Sequence, residues 1–92
     1  MTMKIYASMG VLAHEKRPVY TVGGPAGEIY DELTVELPDG WELDENEAGE
    51  PLLTMPTGEV YLASDLLTNA DDDPALRWYD GNDYHHIVLR QI

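Results

Sequence analysis

The sequence predicts a mainly β protein of the α+β class, with about six or seven short antiparallel strands and one short helix near residues 64–70. Residues 1–92 are expected to form one small acidic domain whose sheet is built from hairpins. Apolar and polar residues alternate in "ELTVEL", residues 32–37, and Pro-x-Gly and Asp-Gly turns separate the short apolar segments. Long helices are difficult to place in such a sequence.

Two strand candidates begin the chain. They are "MKIYAS" (3–8) and "PVYTV" (18–22), and Gly10 and the polar "HEKR" (14–17) connect them. The following "GGPAG" (23–27) is expected to be a flexible turn or loop. The apolar segment after Lys4 holds Tyr, Ser and Gly and has no convincing cleavage site, so a strand is preferred to a signal peptide.

"ELTVEL" and the following "LPDGW" predict a hairpin. The two faces of the strand are Leu33, Val35 and Leu37 on one side and Glu32, Thr34 and Glu36 on the other. Pro38 suits the second position of a turn, and Gly40 suits the left-handed conformation that closes a three-residue loop. The expected cross-strand pairs are Leu37–Trp41, Glu36–Glu42 and Val35–Leu43.

The Glu36–Glu42 pair of this hairpin would place two like charges opposite each other. Such a pair destabilises a sheet by up to about 1 kcal/mol. A chain selected for stability alone would have a lysine at one of these positions, so the acidic face is interpreted as serving some purpose other than stability.

The second half of the chain predicts two more hairpins and the helix. "EPLLTM" (50–55) and "EVYLA" (59–63) flank the turn "PTG", and "ALRWY" (75–79) and "YHHIVLRQI" (84–92) flank "DGND". Ser64 is the expected N-cap of a helix over "DLLTNA" (65–70), which Asp73 and Pro74 would end. Pairing Tyr79 with Tyr84 gives the last hairpin one face with Leu76, Trp78, His85 and Ile87 and another with Arg77, Tyr79, Tyr84 and His86.

The charge balance limits the function classes. Eighteen acids against five Lys and Arg give a formal charge of −13, and fifteen of the acids lie between Arg17 and Arg77, where no basic residue occurs. Direct binding to nucleic acid or to an anionic membrane is disfavoured, because contacts with phosphates need Lys and Arg. The expected partner is therefore a basic protein surface.

Seven carboxylates are the candidate partner-binding face. They are Glu32, Glu36, Glu42 and Asp44 on the strands, and Glu45, Glu47 and Glu50 in the adjoining loop. The leading hypothesis is a small binding protein, in its sharpest form a nucleic-acid mimic that inhibits a DNA- or RNA-binding enzyme. Phages and mobile elements encode small acidic inhibitors of restriction and CRISPR nucleases with this character, but these share no sequence motif. Ordinary solvation, or acidification of the whole surface in a high-salt organism, is the competing explanation.

Two further hypotheses concern other segments. An accessory β domain would bind a protein by strand addition, with "YHHIVLRQI" as the exposed edge. A secondary acidic loop consists of Asp71, Asp72 and Asp73. Together with Asp80 and Asp83, these residues could bind a divalent cation. An EF-hand pattern fails here because its sixth and twelfth positions would be Leu76 and Asn82, so a turn is preferred.

The sequence offers little material for catalysis or for a metal. Cysteine is absent, and neither Ser8 nor Ser64 lies in a nucleophile motif. His85 and His86 are neighbours on a predicted strand, so their side chains point to opposite faces and do not share an ion easily. We expect no enzyme activity, no metal and no cofactor. The purely apolar runs are too short for a membrane span, and we expect a cytoplasmic protein.

Overall fold

A computed structural model describes residues 1–9, 18–22 and 31–92, and this part of the chain is mainly antiparallel β with one short helix, as predicted. It contains ten strands instead of six or seven, because several strands of two to four residues are too short to show an alternating pattern. The elements are β1 (Thr2–Met9), β2 (Pro18–Thr21), β3 (Asp31–Glu36), β4 (Glu42–Glu45), β5 (Pro51–Thr54), β6 (Val60–Leu62), α1 (Ala63–Leu66), β7 (Leu67–Ala70), β8 (Asp73–Tyr79), β9 (Tyr84–Val88) and β10 (Arg90–Gln91). The predicted connection at 10–17 and the loop at 23–27 lie outside the described residues.

The described strands form three antiparallel sheets, in the orders β10-β3-β1-β2, β4-β5-β6 and β7-β8-β9. In the four-stranded sheet, Val35 lies opposite Met3 and Leu33 opposite Ile5, and all four side chains face the core. The other face carries Glu32, Thr34 and Glu36. The alternation predicted for "ELTVEL" is therefore confirmed.

The predicted hairpin over residues 35–43 is wrong, although its turn forms. The N–H of Trp41 donates to the carbonyl oxygen of Pro38 at 3.2 Å, and Gly40 has a φ of +87°. Since β3 pairs with β1 on one edge and with β10 on the other, β4 has no free edge there and pairs with β5. The expected pairs Leu37–Trp41, Glu36–Glu42 and Val35–Leu43 are replaced: Glu36 lies opposite Thr2 and Arg90, and Leu43 lies opposite Leu53.

The other two predicted hairpins are confirmed. β5 pairs with β6 across the turn at residues 56–58, where the N–H of Gly58 donates to the oxygen of Met55 at 2.8 Å. β8 pairs with β9 in the predicted register, Tyr79 opposite Tyr84 and Trp78 opposite His85. Both are closed by a turn that the sequence specifies locally.

The predicted helix over residues 64–70 is wrong beyond its first turn. α1 has four residues and begins after Leu62, with no side chain capping it, so Ser64 does not serve as the N-cap. Residues 67–70 form β7, paired with β8, whose first residues are Asp73 and Pro74. A tight turn at residues 71–72 reverses the chain and gives β7 a strand partner, and that pairing outweighs the weak helix propensity of "DLLTNA".

One apolar core is shared by the three sheets and α1. No polar or charged side chain of the described residues is buried within it. Its buried members are Met3, Ile5 and Val35 from the four-stranded sheet, Leu37 and Trp41 beside the first turn, Leu53 and Met55 from the second sheet, Ala63 and Leu66 from α1, Leu76 from the third sheet, and Leu89 between β9 and β10. The chain thus crosses between sheets at buried residues, and the sheets stabilise one another.

A substitution at Gly40 tests this packing, because Gly40, in the turn at residues 38–41, lies against the turn at residues 56–58. Replacing Gly40 with Ala is expected to lower the free energy of unfolding by about 2–3 kcal/mol: the added Cβ would lie 3.1 Å from Pro56 Cγ at a φ of +87°. Gly58 has a φ of +93° and nothing within 4 Å of an added Cβ, so Gly58→Ala is the matched control and is expected to cost about 1–2 kcal/mol. Urea denaturation measures both; equal losses would contradict a contribution from the contact between the turns.

Candidate partner-binding surface

The segment from Glu42 to Glu50 carries five of the seven carboxylates predicted for the partner-binding face. β4 and β5 pair with each other, and a short loop joins them. Asn46 closes this loop: its Oδ1 accepts the N–H groups of Ala48 at 3.0 Å and Glu50 at 2.9 Å, and its own N–H donates to the oxygen of Glu50 at 3.1 Å. The carboxylates of the loop are therefore held on a defined turn. We call residues 42–50 the acidic hairpin.

β4 carries three of these carboxylates on its two faces. Glu42 and Asp44 lie on one face, whereas Leu43, which packs against the core, and Glu45 lie on the other. Glu45 therefore belongs to β4 and not to the loop in which the sequence placed it. The residues opposite β4 on β5 are apolar or uncharged, with Thr54 across from Glu42 and Leu52 across from Asp44. The repulsion expected between Glu36 and Glu42 across a hairpin therefore does not occur, and it no longer supports a functional explanation of the acidity.

The acidic hairpin has no counter-charge in the described part of the chain. Its five carboxylate-bearing residues are all exposed. Among residues 1–9, 18–22 and 31–92, the ion pairs within 4.0 Å involve Glu36, Glu32 and Asp80, and none involves the acidic hairpin. β4 is also an edge strand in these ranges, since it pairs only with β5. Within the described residues, the surface of the acidic hairpin is exposed and strongly anionic.

Glu32 and Glu36 have a different environment on the outer face of the four-stranded sheet. Lys4 Nζ lies 3.4 Å from Glu32 Oε1, and the amino group of Met1 lies 3.4 Å from Glu36 Oε1. All of these groups are about half exposed or more, so each pair contributes about 0–1 kcal/mol to stability. The pairs nevertheless reduce the local negative charge. The predicted face is thus divided into a partly neutralised pair on β3 and the acidic hairpin.

Met1 connects these two parts. Its carbonyl oxygen accepts the N–H of Leu37 at 2.9 Å, and its sulfur accepts the N–H of Leu43 at 3.3 Å. Because its amino group also contacts Glu36, Met1 lies between the end of β3 and the edge of β4. The two acidic parts are neighbours through this residue, although they belong to different sheets.

The secondary acidic loop is a hairpin turn. Ala70 pairs with Asp73, and between them Asp71 and Asp72 both have positive φ, at 50° and 70°. A two-residue hairpin turn requires this conformation, which Asp and Asn adopt more readily than most residues. The turn also joins two sheets, because the Tyr20 hydroxyl donates to the Asp72 carbonyl oxygen at 2.6 Å. Burial, together with the charges of Asp73 and Asp72, raises the pKa of Tyr20.

The two adjacent histidines lie on opposite faces of β9. His85 Nε2 donates to Asp80 Oδ2 at 2.6 Å, and its ring stacks on Trp78 with 5.5 Å between centroids. The side chain of His85 is thus hydrogen-bonded and packed on a ring, but it is 45% exposed and does not belong to the interior. His86 lies opposite Arg77 on the outer face. Within the described ranges, no three side chains of His, Asp or Glu are placed to hold a metal ion.

Sequence reasoning missed an apolar groove that both tryptophans line. It lies between the turn at residues 38–41, the turn at residues 55–59 and the inner face of the β8–β9 hairpin. Two signals were available: Trp41 and Trp78 are the only tryptophans in the chain, and the turns "LPDG" and "MPTG" share a Pro-x-Gly pattern. Only their position in the fold brings these features together.

No protein-family model, curated protein or solved structure matches this chain. The geometry of its own residues therefore carries the functional argument.

Among the described residues, no helix has the length and the apolar character that a membrane span needs. The helix found there, α1, has four residues, whereas a bilayer-spanning helix needs about 20 apolar residues.

Among the described carboxylates, Asp80 accepts the most local hydrogen bonds, and these bonds predict a pH dependence of stability. The N–H of Asp83, the ring of His85 and the N–H of Asn82 all donate to it, and they hold the pKa of Asp80 well below its usual value. A lowered pKa in the folded state stabilises the fold at pH values above the unfolded pKa of about 3.9, and this contribution is lost as the pH falls further. The difference in stability between wild type and Asp80→Asn should therefore shrink between about pH 5 and about pH 2.

Urea denaturation at a series of pH values measures this difference. Asp83→Asn removes a neighbouring carboxylate whose side chain accepts none of these hydrogen bonds, so it is the matched control. A constant difference between wild type and Asp80→Asn over this pH range would show that the hydrogen bonds do not favour the ionised form.

Proposed function

We propose that this protein is a small, non-catalytic, cytoplasmic binding protein whose acidic hairpin docks on a basic protein surface. The observation that supports this best is the run of five exposed carboxylates from Glu42 to Glu50 without a cationic partner within 4.0 Å in the described residues. A partner with Lys and Arg side chains would supply the missing counter-charges. Such complementarity accelerates encounter and discriminates against wrong partners.

The shape of the acidic hairpin favours a specific partner over general solvation. Asn46 holds the loop by five hydrogen bonds of its side chain and backbone, so little conformational entropy is lost when the loop carboxylates are bound. Glu42 and Asp44 lie on one face of β4, with alternate residues about 6.6 Å apart. Charged side chains on an edge strand also prevent edge-to-edge aggregation, a role that the carboxylates of the loop beyond β4 do not serve.

The sharpest form of this proposal is a nucleic-acid mimic that inhibits a DNA- or RNA-binding enzyme. A spacing of about 6.6 Å between carboxylates is of the same order as the spacing of successive phosphates on a nucleic-acid strand. The acidic hairpin would occupy the basic groove and exclude nucleic acid from it, as expected of an anti-restriction or anti-CRISPR inhibitor. The net charge of −13 opposes any direct contact between this protein and nucleic acid.

Charge reversal on β4 tests the proposal. The double variant Glu42→Lys/Asp44→Lys is expected to lower retention of the partner at least about tenfold, because it removes two anions and introduces two cations at the contact. Asp65→Lys/Asp83→Lys changes the net charge equally at exposed positions elsewhere and is the matched control. The measurement is capture from the native host on immobilised wild type and both variants, followed by a salt gradient.

The same experiment contains the outcomes that contradict the proposal. A partner that the β4 variant retains as well as wild type, or that high salt does not release, would place the contact elsewhere. Elution by added duplex DNA or by RNA distinguishes mimicry from binding of a basic protein that uses a different surface. Circular dichroism of each variant establishes that its β structure is preserved.

Strand addition at β9 is a second candidate function, and one observation favours it. In the described chain β9 pairs only with β8, and it carries exposed apolar residues, Tyr84 and Val88. The N–H of Leu89 donates to the carbonyl oxygen of Pro74, and the N–H of Asp80 donates to the carbonyl oxygen of Asp83. Because hydrogen-bonded and non-hydrogen-bonded pairs alternate along an antiparallel ladder, the N–H of Val88 points away from β8. That N–H is available to an added strand. Leu89, by contrast, is 3% exposed and belongs to the core.

Val88→Pro tests this candidate without breaking the β8–β9 ladder. Proline removes the outward N–H and is tolerated at an edge strand where the N–H faces solvent. If a partner adds a strand here, its capture by the wild-type protein is expected to be insensitive to salt. Val88→Pro is then expected to abolish this capture, whereas Val88→Thr, which keeps the N–H, is expected to retain it. Equal capture by Val88→Pro and wild type would exclude the β9 edge as the contact.

A further inference from the structure

The groove that both tryptophans line has a volume of about 470 Å³. This volume falls within the range of pockets that bind small ligands. One wall is the inner face of the β8–β9 hairpin, with Trp78, His85 and Ile87. The opposite wall consists of the two Pro-x-Gly turns, with Pro38 and Pro56.

The groove has a rigid base. The two turns pack together at Gly40 and Pro56, since an added Cβ on Gly40 would lie 3.1 Å from Pro56 Cγ. Trp41 is 5% exposed, and its ring meets that of Trp78 edge to face, with 5.2 Å between centroids and an interplanar angle of 67°. A preformed site of this kind loses little conformational entropy when it binds a ligand.

Three carboxylates line the groove beside its apolar walls: Asp39, Glu59 and Asp80. Asp80 is occupied by hydrogen bonds from His85 and from its own turn. Glu59 accepts the hydroxyl of Tyr61 at 2.8 Å with one oxygen and retains its other oxygen for a ligand. Asp39 is exposed at the first turn. No Lys or Arg of the described chain lines this groove.

We infer that the groove binds an arginine side chain of the basic partner, an inference that rests on the proposed function. A guanidinium group is planar, weakly hydrated and able to lie on an indole ring, and its parallel N–H groups match a carboxylate. The groove supplies both elements, an indole at its wall and carboxylates at its rim. A lysine ammonium is more strongly hydrated and fits an aromatic wall less well.

The position of the groove also fits this role. Trp41 directly precedes Glu42, so the groove and the acidic hairpin are adjacent along the chain. Long-range attraction by the acidic hairpin would bring a basic surface to this side of the molecule. One arginine inserted beside Trp78 would then fix the register of the complex, as aromatic and arginine anchors do in other interfaces.

The test uses the two indole N–H signals in the ¹H–¹⁵N spectrum of the full chain, because both tryptophans of the protein line the groove. The probe is the blocked peptide acetyl-Gly-Arg-Gly-amide, compared with the same peptide containing citrulline, which has a similar shape but no charge. The arginine peptide is expected to shift at least one indole signal in a saturable manner. The citrulline peptide is expected to leave both signals unchanged at the same concentrations.

Variants locate the charge contact. Asp39→Asn/Glu59→Gln is expected to weaken binding of the arginine peptide about fivefold, since each exposed charge contact contributes a small amount. Asp65→Asn/Asp71→Asn removes the same charge at exposed positions that do not line this groove, and it is expected to change the affinity less than about twofold. Equal weakening in both variants would attribute binding to net charge and overturn the site.

Three other outcomes would overturn the inference. They are shifts of equal size with citrulline, saturable shifts with a blocked triproline peptide in place of arginine, and shifts confined to residues 42–50 with unchanged indole signals.

The Glu42→Lys/Asp44→Lys variant separates this inference from the proposed function. If that variant loses the captured partner while Asp39→Asn/Glu59→Gln retains it, the acidic hairpin binds the partner and the groove does not. If the arginine peptide occupies the groove but charge reversal on β4 leaves capture intact, the groove binds arginine and the proposed contact is wrong.

Discussion

The pairing of β3 on both edges constrains the rest of this structure. β1 and β10 occupy the two sides of β3, so the chain leaves the four-stranded sheet after Glu36 and does not turn back upon it. The turn at residues 38–41 directs it into a second sheet and buries Leu37 and Trp41 between the two sheets. Among the described strands β4 then becomes an edge strand, and Trp41 contacts Trp78. Both the acidic hairpin and the groove follow from this one change of sheet.

Local signals in the sequence predict local structure well in this protein, and long-range pairing poorly. The turns at residues 56–58 and 80–83 connect strands that pair with each other, so turn chemistry and alternation together predicted both hairpins, and for the second one also the register. The turn at 38–40 has the same chemistry, but whether its flanking strands pair depends on β1 and β10, which lie at the ends of the sequence. The helix predicted over residues 67–70 was wrong for the same reason, because the strand partner of these residues is β8. The acidic segment was found from the sequence, whereas the groove depends on contacts between residues that lie far apart along the chain.

The distribution of cations distinguishes the two acidic parts better than the number of acids does. On β3 the amino group of Met1 and Lys4 accompany Glu36 and Glu32, and Arg90 lies opposite Glu36 in the register. These arrangements compensate charge within the fold and account for the carboxylates there without a partner. The acidic hairpin has no such compensation in the described residues. A bound cationic surface would supply the counter-charge that the acidic hairpin lacks among the described residues.

The acidic hairpin and the groove each favour a different property of the partner surface, and together they limit which kind of surface can bind. An exposed anionic strand attracts any basic surface, and its attraction falls as salt rises, so charge alone gives rate and general preference. A groove lined by an indole and by carboxylates would, if it binds arginine as proposed, accept one planar cation at one position. A nucleic-acid groove rich in arginine has both properties, because guanidinium groups that recognise phosphates also stack on aromatic rings. A basic surface built only from lysine has the first property and not the second. The combination therefore favours an arginine-lined protein groove over a diffuse cationic surface as the complement of this fold.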